Sequence, residues 1–200
     1  EHEEHEEHEE HEEHEEHDQH AHDEAHHHDD VHPWLSPSST ARFAERLSDR
    51  LKTHFPNDVD TIETNTHRFL QDLQRFDATS TARLAPVKQH GFFVFHDAYT
   101  GIVEHFTLNQ VGYFTLDPSR KPGAKHLASL RNQLTASDAQ CVFIEPQYSP
   151  ALIDAITRDV TINRGELDPL ATNIVPSRGS YTRFMTSLVD EFVACLGGLK

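Results

Sequence analysis

The chain has 200 residues and a formal net charge of −17. That charge is concentrated at one end, because residues 1–32 contain 16 Asp and Glu and no Lys or Arg, whereas the other 168 residues contain 18 acids and 17 bases. The nearly neutral body lacks the basic patch by which proteins bind nucleic acid, and no apolar run approaches the roughly 18 residues that a membrane span needs.

A repeat of His and acidic residues opens the chain, and residues 1–30 read EHEEHEEHEEHEEHEEHDQHAHDEAHHHDD. Glu1 is not an initiator Met, and the residues that follow are neither apolar nor basic as in a signal peptide. We therefore expect a processed or truncated chain that was cut inside a loop.

The repeat does not have the period of a regular element. A helix turns about 100° per residue, so a spacing of three moves each His about 60° around the axis and forms no stripe. Closely spaced like charges also repel, and we expect residues 1–31 to be disordered without metal.

Imidazole and carboxylate together suit zinc and its neighbours, so the segment predicts several weak, exchanging metal sites. A merely solubilising acidic segment is the alternative, but it does not account for 12 His within residues 1–32. The histidines predicted to form these weak sites are His2, His5, His8, His11, His14, His17, His20, His22, His26, His27 and His28.

Two helices are predicted next. Ser36 and Pro37 are a typical N-cap and first helical residue, and apolar residues at helical spacing carry the helix to residue 54. Pro56 opens a longer helix over residues 56–84 with its apolar residues on one face. Helices of this length often act as rigid struts between lobes.

From residue 90 the pattern changes to four short apolar segments separated by helical ones. The alternation predicts an α/β fold with a four-stranded parallel sheet, helices on both faces and right-handed crossovers. Predicted strands are 91–96, 108–117, 139–147 and 160–168, and predicted helices are 97–106, 121–138, 149–159 and 176–198. Ligands bind such sheets beyond the carboxyl ends of the strands. The reactive side chains expected there are His96, Asp97, Asp117, Glu145 and Asp168.

Four segments carry a resemblance to a known family: VHPWLSP, FFVFHDAY, CVFIEPQYSP and LDPLATN. In these segments the chain resembles the ZnuA-type zinc-binding proteins of the bacterial periplasm, the cluster A-I solute-binding proteins of ABC transporters. The resemblance runs from about residue 20 to the end. It implies a protein that captures Zn²⁺ between two lobes and delivers it to a membrane permease. A periplasmic monomer that does not bind nucleic acid and is not an enzyme is expected.

The resemblance also implies a domain organisation. Residues 1–31 are the metal-binding loop, 32–55 are the end of the N-terminal lobe, 56–88 are the helix between the lobes, and 89–200 are the C-terminal α/β lobe. Most of the N-terminal lobe, which supplies one His ligand in the family, is expected to be absent from this chain.

Ligands carried over from the family are His32, just after the loop, and His96, at the end of the first strand. Asp168 matches a carboxylate that is a ligand in related zinc and manganese binders, and its alternative role is to form the turn before Pro169. Glu145 matches the Glu of an EPQ motif and is expected behind the ligands. Asp97 is expected to cap the following helix, or else to orient a histidine.

Cys141 and Cys195 are the two cysteines of the chain. Taken alone they are either two buried thiols or a disulfide, which would require an oxidising compartment. The resemblance implies the disulfide, since the family has a matching pair.

Two other functions fit parts of the sequence. Two His and a carboxylate around zinc could activate water in a hydrolase, with Glu145 as base, but no dedicated substrate pocket is recognisable. The His-rich segment alone would serve a zinc buffer or chaperone. The remaining histidines share no spacing and are interpreted as ordinary: His54, His67, His90, His105 and His126.

Overall fold

A computed structural model describes residues 31–115 and 123–198. The N-terminal part is helical: a 3-10 turn (Pro33–Leu35), α1 (Pro37–His54), a second 3-10 turn (Pro56–Asp58) and the long α2 (Val59–Leu84). The predicted cap of α1 is confirmed, because the Ser36 hydroxyl accepts a hydrogen bond of 3.2 Å from the Ser39 N–H. No helix within the described ranges is long and apolar enough to cross a membrane.

The predicted parallel sheet is confirmed. Its strands are β1 (Gly91–His96), β2 (Gln110–Thr115), β3 (Ala139–Ile144) and β4 (Asn163–Glu166), in the spatial order β2-β1-β3-β4. All three neighbouring pairs are parallel. The connecting helices are α3 (Thr100–Phe106), α4 (Ala124–Ala136), α5 (Ala151–Thr157) and the C-terminal α6 (Ser180–Leu196).

Both faces of the sheet are covered, as the sequence predicts. Phe92 and Val94 of β1 point into a core shared with α2, α3 and α6, whereas Phe93 and Phe95 point into a core shared with α4 and α5. Successive side chains of a strand point to opposite faces, so an unbroken apolar run belongs to a strand buried on both sides.

α3 and α6 are among the helices that begin later than the sequence predicts. α3 begins at Thr100 instead of residue 97, because the Asp97 N–H donates to Thr115 O at 3.2 Å and the Ala98 N–H donates back to His96 O at 2.9 Å. α6 begins at Ser180 instead of residue 176, because Gly179 immediately before it has φ +77, a left-handed conformation that glycine adopts without strain.

The Cys141–Cys195 disulfide is confirmed and joins β3 to α6, with a Cα–Cα distance of 5.9 Å. Both cysteines are fully buried in the core on the α6 side of the sheet. The bond therefore joins β3 to α6, the helix that covers this face of the sheet.

The topology identifies one edge of the sheet as the place for a ligand. From β1 the chain moves to β2 on one side and later to β3 on the other, so the order reverses between β1 and β3. In open parallel sheets the crevice at the carboxyl ends of such a pair is where ligands bind. His96 ends β1, and Glu145 follows β3 directly.

Candidate metal centre

His32 is held at the start of the 3-10 turn by its neighbours. Its carbonyl accepts the Leu35 N–H at 2.9 Å, and the Leu35 side chain is fully buried. The Trp34 indole donates to Pro169 O at 2.9 Å, and Tyr181 OH of α6 donates to Trp34 O at 3.0 Å. These bonds attach the turn to the loop after β4 and to α6.

A close helix contact brings the same turn towards β1. Gly101 of α3 lies against Ser36, and a Cβ at position 101 would approach the Ser36 Cβ to 2.7 Å. Only glycine permits this packing without a shift of one element. Since α3 follows β1 directly, the contact places the turn that carries His32 beside the end of β1.

His96 is nearly buried at the end of β1, and its Nδ1 lies 2.6 Å from Glu145 Oε1. A carboxylate oxygen accepts, so we assign the ring proton to Nδ1. The Nε2 of neutral His96 then keeps its lone pair, and this nitrogen is available to a metal. Metal-binding histidines usually donate their other N–H to a carboxylate or carbonyl in this way.

The rings of His32 and His96 meet, with centroids 5.3 Å apart and planes at 68°. Two imidazoles bound through nitrogen to one tetrahedral zinc, at about 2.0–2.1 Å each, place their ring centroids about 5 Å apart. The separation therefore matches that of two histidines sharing one ion.

Glu145 is 2 % exposed, and its carboxylate also lies within reach of a tyrosine. Tyr99 OH lies 3.3 Å from Glu145 Oε1 and 3.4 Å from Leu167 O. Burial raises the pKa of Tyr99 well above its ordinary value, and the negative charge of Glu145 raises it further. Tyr99 thus stays protonated and serves as a hydrogen-bond donor that helps to hold the carboxylate behind His96.

Asp168 orders the loop after β4. Its Oδ1 accepts from Gln147 Nε2 at 2.5 Å and from the Leu170 N–H at 3.1 Å. Its Oδ2 accepts from the Thr172 N–H at 2.6 Å and from the Thr172 hydroxyl at 2.7 Å. Partial burial acts to raise the pKa of Asp168, but these bonds to the ionised form outweigh it and leave the pKa below its ordinary value.

These four bonds agree with the turn-forming alternative for Asp168. Its role as a ligand stays a prediction. A carboxylate that already accepts two hydrogen bonds at each oxygen would have to exchange one of them to bind a metal.

The preferred role of Asp97 is wrong. The N-cap of α3 is Tyr99, with no capping side chain, because the chain turns away from helical geometry before Thr100. Asp97 Oδ1 instead accepts from Gln110 Nε2 at 3.3 Å. The carboxylate that contacts His96 in the described part of the chain is Glu145.

Within the described residues, no three His, Cys, Asp or Glu side chains form a group able to hold a metal ion. The His32–His96 pair therefore provides two nitrogen positions, and a tetrahedral ion needs two further ligands. The eleven histidines of residues 1–28 and the carboxylate of Asp117 lie outside the described residues.

Several of the histidines interpreted as ordinary have their own partners. His90 Nδ1 bonds to Leu196 O at 2.8 Å, His126 Nε2 to Phe114 O at 3.1 Å, and His67 Nε2 to Gln71 at 2.9 Å. His105 contacts Asp77. These contacts give no reason to revise the interpretation.

Sequence reasoning missed two residues of the site. Tyr99 bonds Glu145, and Trp34 anchors the turn after His32. Both stand in segments that carry the family resemblance, HDAY and VHPWL, and each has a polar atom on an aromatic ring. A buried tyrosine such as Tyr99 usually has a hydrogen-bond partner for its hydroxyl, and this is the signal that could have found it.

Three comparisons with known proteins identify the same protein family. The sequence model of the ZnuA family, described as zinc-uptake complex component A, periplasmic, matches residues 2–195. A high-affinity zinc uptake system protein ZnuA of Yersinia pestis is 40% identical over 166 residues, covering 83% of this chain and 52% of the relative. The Haemophilus influenzae protein of the same name is 36% identical over 165 residues, covering 82% and 49%. The chain spans about half the length of the curated relatives it matches.

A crystal structure of ZnuA superposes with a TM-score of 0.72 at 25% identity, covering 84% of this chain and 62% of the other. A zinc-bound ZnuA deletion mutant gives 0.68 at 25% identity, covering 83% and 60%. The nickel complex of FpvC from Pseudomonas aeruginosa shares the fold at 20% identity, with a TM-score of 0.73 and coverage of 84% and 63%. The family match over residues 2–195 shows that this chain belongs to the ZnuA family of periplasmic zinc-uptake components.

Proposed function

We propose that this chain is part of a periplasmic protein that captures Zn²⁺ and delivers it to the permease of an ABC uptake system, as a monomer and without catalysis. The observation that supports this most is the approach of His32 to His96 at the carboxyl end of β1. Their ring centroids are 5.3 Å apart. Two relatives at 40% and 36% identity are named as proteins of a high-affinity zinc uptake system.

Zinc is the expected metal because the pair offers imidazole nitrogen. Imidazole suits zinc, whereas manganese and magnesium prefer sites built from oxygen ligands. The buried Glu145 accepts the Nδ1 proton of His96, fixes the ring and increases the basicity of the free nitrogen.

We further propose that a third ligand comes from a part of the full-length protein outside this chain. The relatives are about twice as long as the matched region. In this proposal α2 (Val59–Leu84) is the helix between two lobes, residues 32–55 end the first lobe and residues 89–200 form the second. Asp168, in the loop bonded to Trp34, remains the proposed carboxylate next to the histidines.

Residues 1–31 have a separate role in the proposal. Their histidines bind zinc weakly at several places and increase its supply near the site. A protein that used this segment alone would be a zinc buffer, and the composition of the segment is the observation that favours this second candidate. The two functions differ in which histidines set the highest affinity.

Competitive titration of the full-length protein with a zinc chelator dye distinguishes zinc uptake from zinc buffering. His96→Ala should weaken the tightest site by orders of magnitude, whereas His67→Ala, at an exposed position on α2, should leave it unchanged. Replacing the eleven histidines of residues 1–28 by Gln should remove weak zinc equivalents but keep the tight one. Loss of the tight site in the Gln variant, with the His96 variant unaffected, would contradict uptake and favour the buffer.

A further inference from the structure

A groove between α2 and α6 is lined by arginines, although the body of the chain is nearly neutral. It consists of two adjoining hollows of about 340 and 380 Å³, which share Asp72, Gly179 and Thr182. Five of the chain's twelve arginines line it, against the single carboxylate of Asp72: Arg68, Arg75, Arg83, Arg178 and Arg183. We refer to this surface as the arginine groove.

Part of this positive charge is not neutralised within the described chain. Arg75 pairs with Asp72, and Arg83 pairs with Asp190 at 2.6 Å. Arg183 donates to Arg178 O at 3.0 Å and to Ser177 Oγ at 2.7 Å, which are both neutral acceptors. In the described ranges Arg68 and Arg178 have no carboxylate within salt-bridge distance. Guanidinium groups hold their charge at every pH of interest, so the groove attracts carboxylates.

The end of α6 adds to this field. Gly179 caps the 17-residue helix with no side chain, and its first turn contains no acidic residue. The partial positive charge of a helix N-terminus extends over its first turn. Thus one end of the groove combines Arg68, Arg178 and this helix terminus.

The acidic segment of the same chain joins the body next to this groove. Trp34 stands three residues after Val31, and its carbonyl accepts from the hydroxyl of Tyr181, which is two residues beyond Gly179. The Tyr181 ring lies 5.9 Å from that of Phe69, which lines the groove. Thirty residues can reach at most about 100 Å, and α6 is about 25 Å long. The segment is therefore long enough to follow the whole groove.

We propose that the arginine groove binds residues 1–30 of this chain through their carboxylates. The segment has 16 acidic residues and no cation, which complements the groove in charge. Because it is covalently attached beside the groove, the association is intramolecular and needs little affinity per contact. The proposal does not depend on zinc, and it predicts that salt weakens the association.

Cleavage by a glutamate-specific protease measures the binding directly, since the segment is rich in Glu. The full-length protein is digested at pH 8 in chelator, and cleavage after the glutamates of residues 1–24 is followed by mass spectrometry. Arg68→Gln/Arg178→Gln should speed this cleavage about five- to tenfold at low salt, and the ratio to wild type should fall towards one in about 1 M NaCl. Arg158→Gln, on the exposed end of α5, is the matched control and should behave as wild type.

Zero-length carbodiimide coupling gives a second readout, and it uses variants that keep the positive charge of the groove. The amine introduced by Arg178→Lys should form amide cross-links to carboxylates of residues 1–30, and that introduced by Arg158→Lys should not. Equal cleavage rates in wild type and the double Gln variant at low salt would overturn the proposal. So would the same cross-link yield at both positions, since the groove would then serve some other anion.

Discussion

The imidazole rings of His32 and His96 lie with their centroids 5.3 Å apart, although sixty-four positions separate the two residues in the chain. His96 is carried by the end of β1, and His32 by a turn that Trp34 and Leu35 attach to the opposite side of the crevice. Elements on both sides hold the pair, so in the proposed function we expect little rearrangement before a metal binds. Such preorganisation increases affinity because less ordering remains to occur on binding.

Glu145→Gln should weaken zinc binding at the tight site of the full-length protein about 10- to 100-fold. The amide still fills the space, but it no longer accepts the Nδ1 proton of His96 with a full negative charge, so the ring is less basic and less firmly oriented. Chelator competition measures the change. Glu104→Gln, at an exposed position on α3, is the control. An unchanged zinc affinity in the Glu145 variant would contradict the role of Glu145 in orienting His96.

Asp168→Asn should lower the melting temperature by a few degrees, because the amide cannot accept all four bonds of the carboxylate. The folded-state pKa of Asp168 is below its ordinary value, so its contribution to stability is present above about pH 4 and is lost as pH falls through the folded pKa. The difference from wild type should therefore shrink on acidification below pH 4, as thermal unfolding at a series of pH values would show.

The same variant tests the ligand role of Asp168. Loop ordering alone predicts a smaller loss of zinc affinity than His96→Ala produces. An equally large loss would assign Asp168 to the metal.

Reduction of Cys141–Cys195 should destabilise the chain by about 4 kcal/mol on the chain-entropy account, since the sequence separation is 54 residues. For a body of this size that corresponds to a fall in melting temperature of about 10 °C. The denatured, unreduced protein should show no reactive thiol. Cys141→Ala/Cys195→Ala should match the reduced protein in stability and keep its zinc affinity, and a variant as stable as wild type would contradict this assignment.

Much of the fold could be predicted from local patterns. The six residues of β1 are all buried, and the apolar run Phe92–Phe95 indicated a strand covered on both faces before any contact was known. Ser36 and Pro37 marked the start of α1 because capping depends on adjacent residues only.

Other features depend on contacts between distant segments and could not be derived from local patterns. Strand order is one, since the same alternation of strands and helices fits several orders. The start of α3 is another, because a bond between Asp97 and Thr115 decides it. The Glu145–His96 pair forms only because β3 lies beside β1, and sequence spacing carries no signal of that. The pairing of His32 with His96 was expected from family resemblance rather than from periodicity.

The most direct measurement is anomalous diffraction at the zinc edge from crystals of the zinc-loaded full-length protein. We expect a fully occupied zinc about 2.0–2.1 Å from a ring nitrogen of both His32 and His96, with Glu145 still bonded to the Nδ1 of His96. The same ion should be absent from the His96→Ala variant while the His-rich segment still binds zinc in solution. A single tight zinc bound without His32 or without His96 would contradict the assignment of these two histidines as ligands.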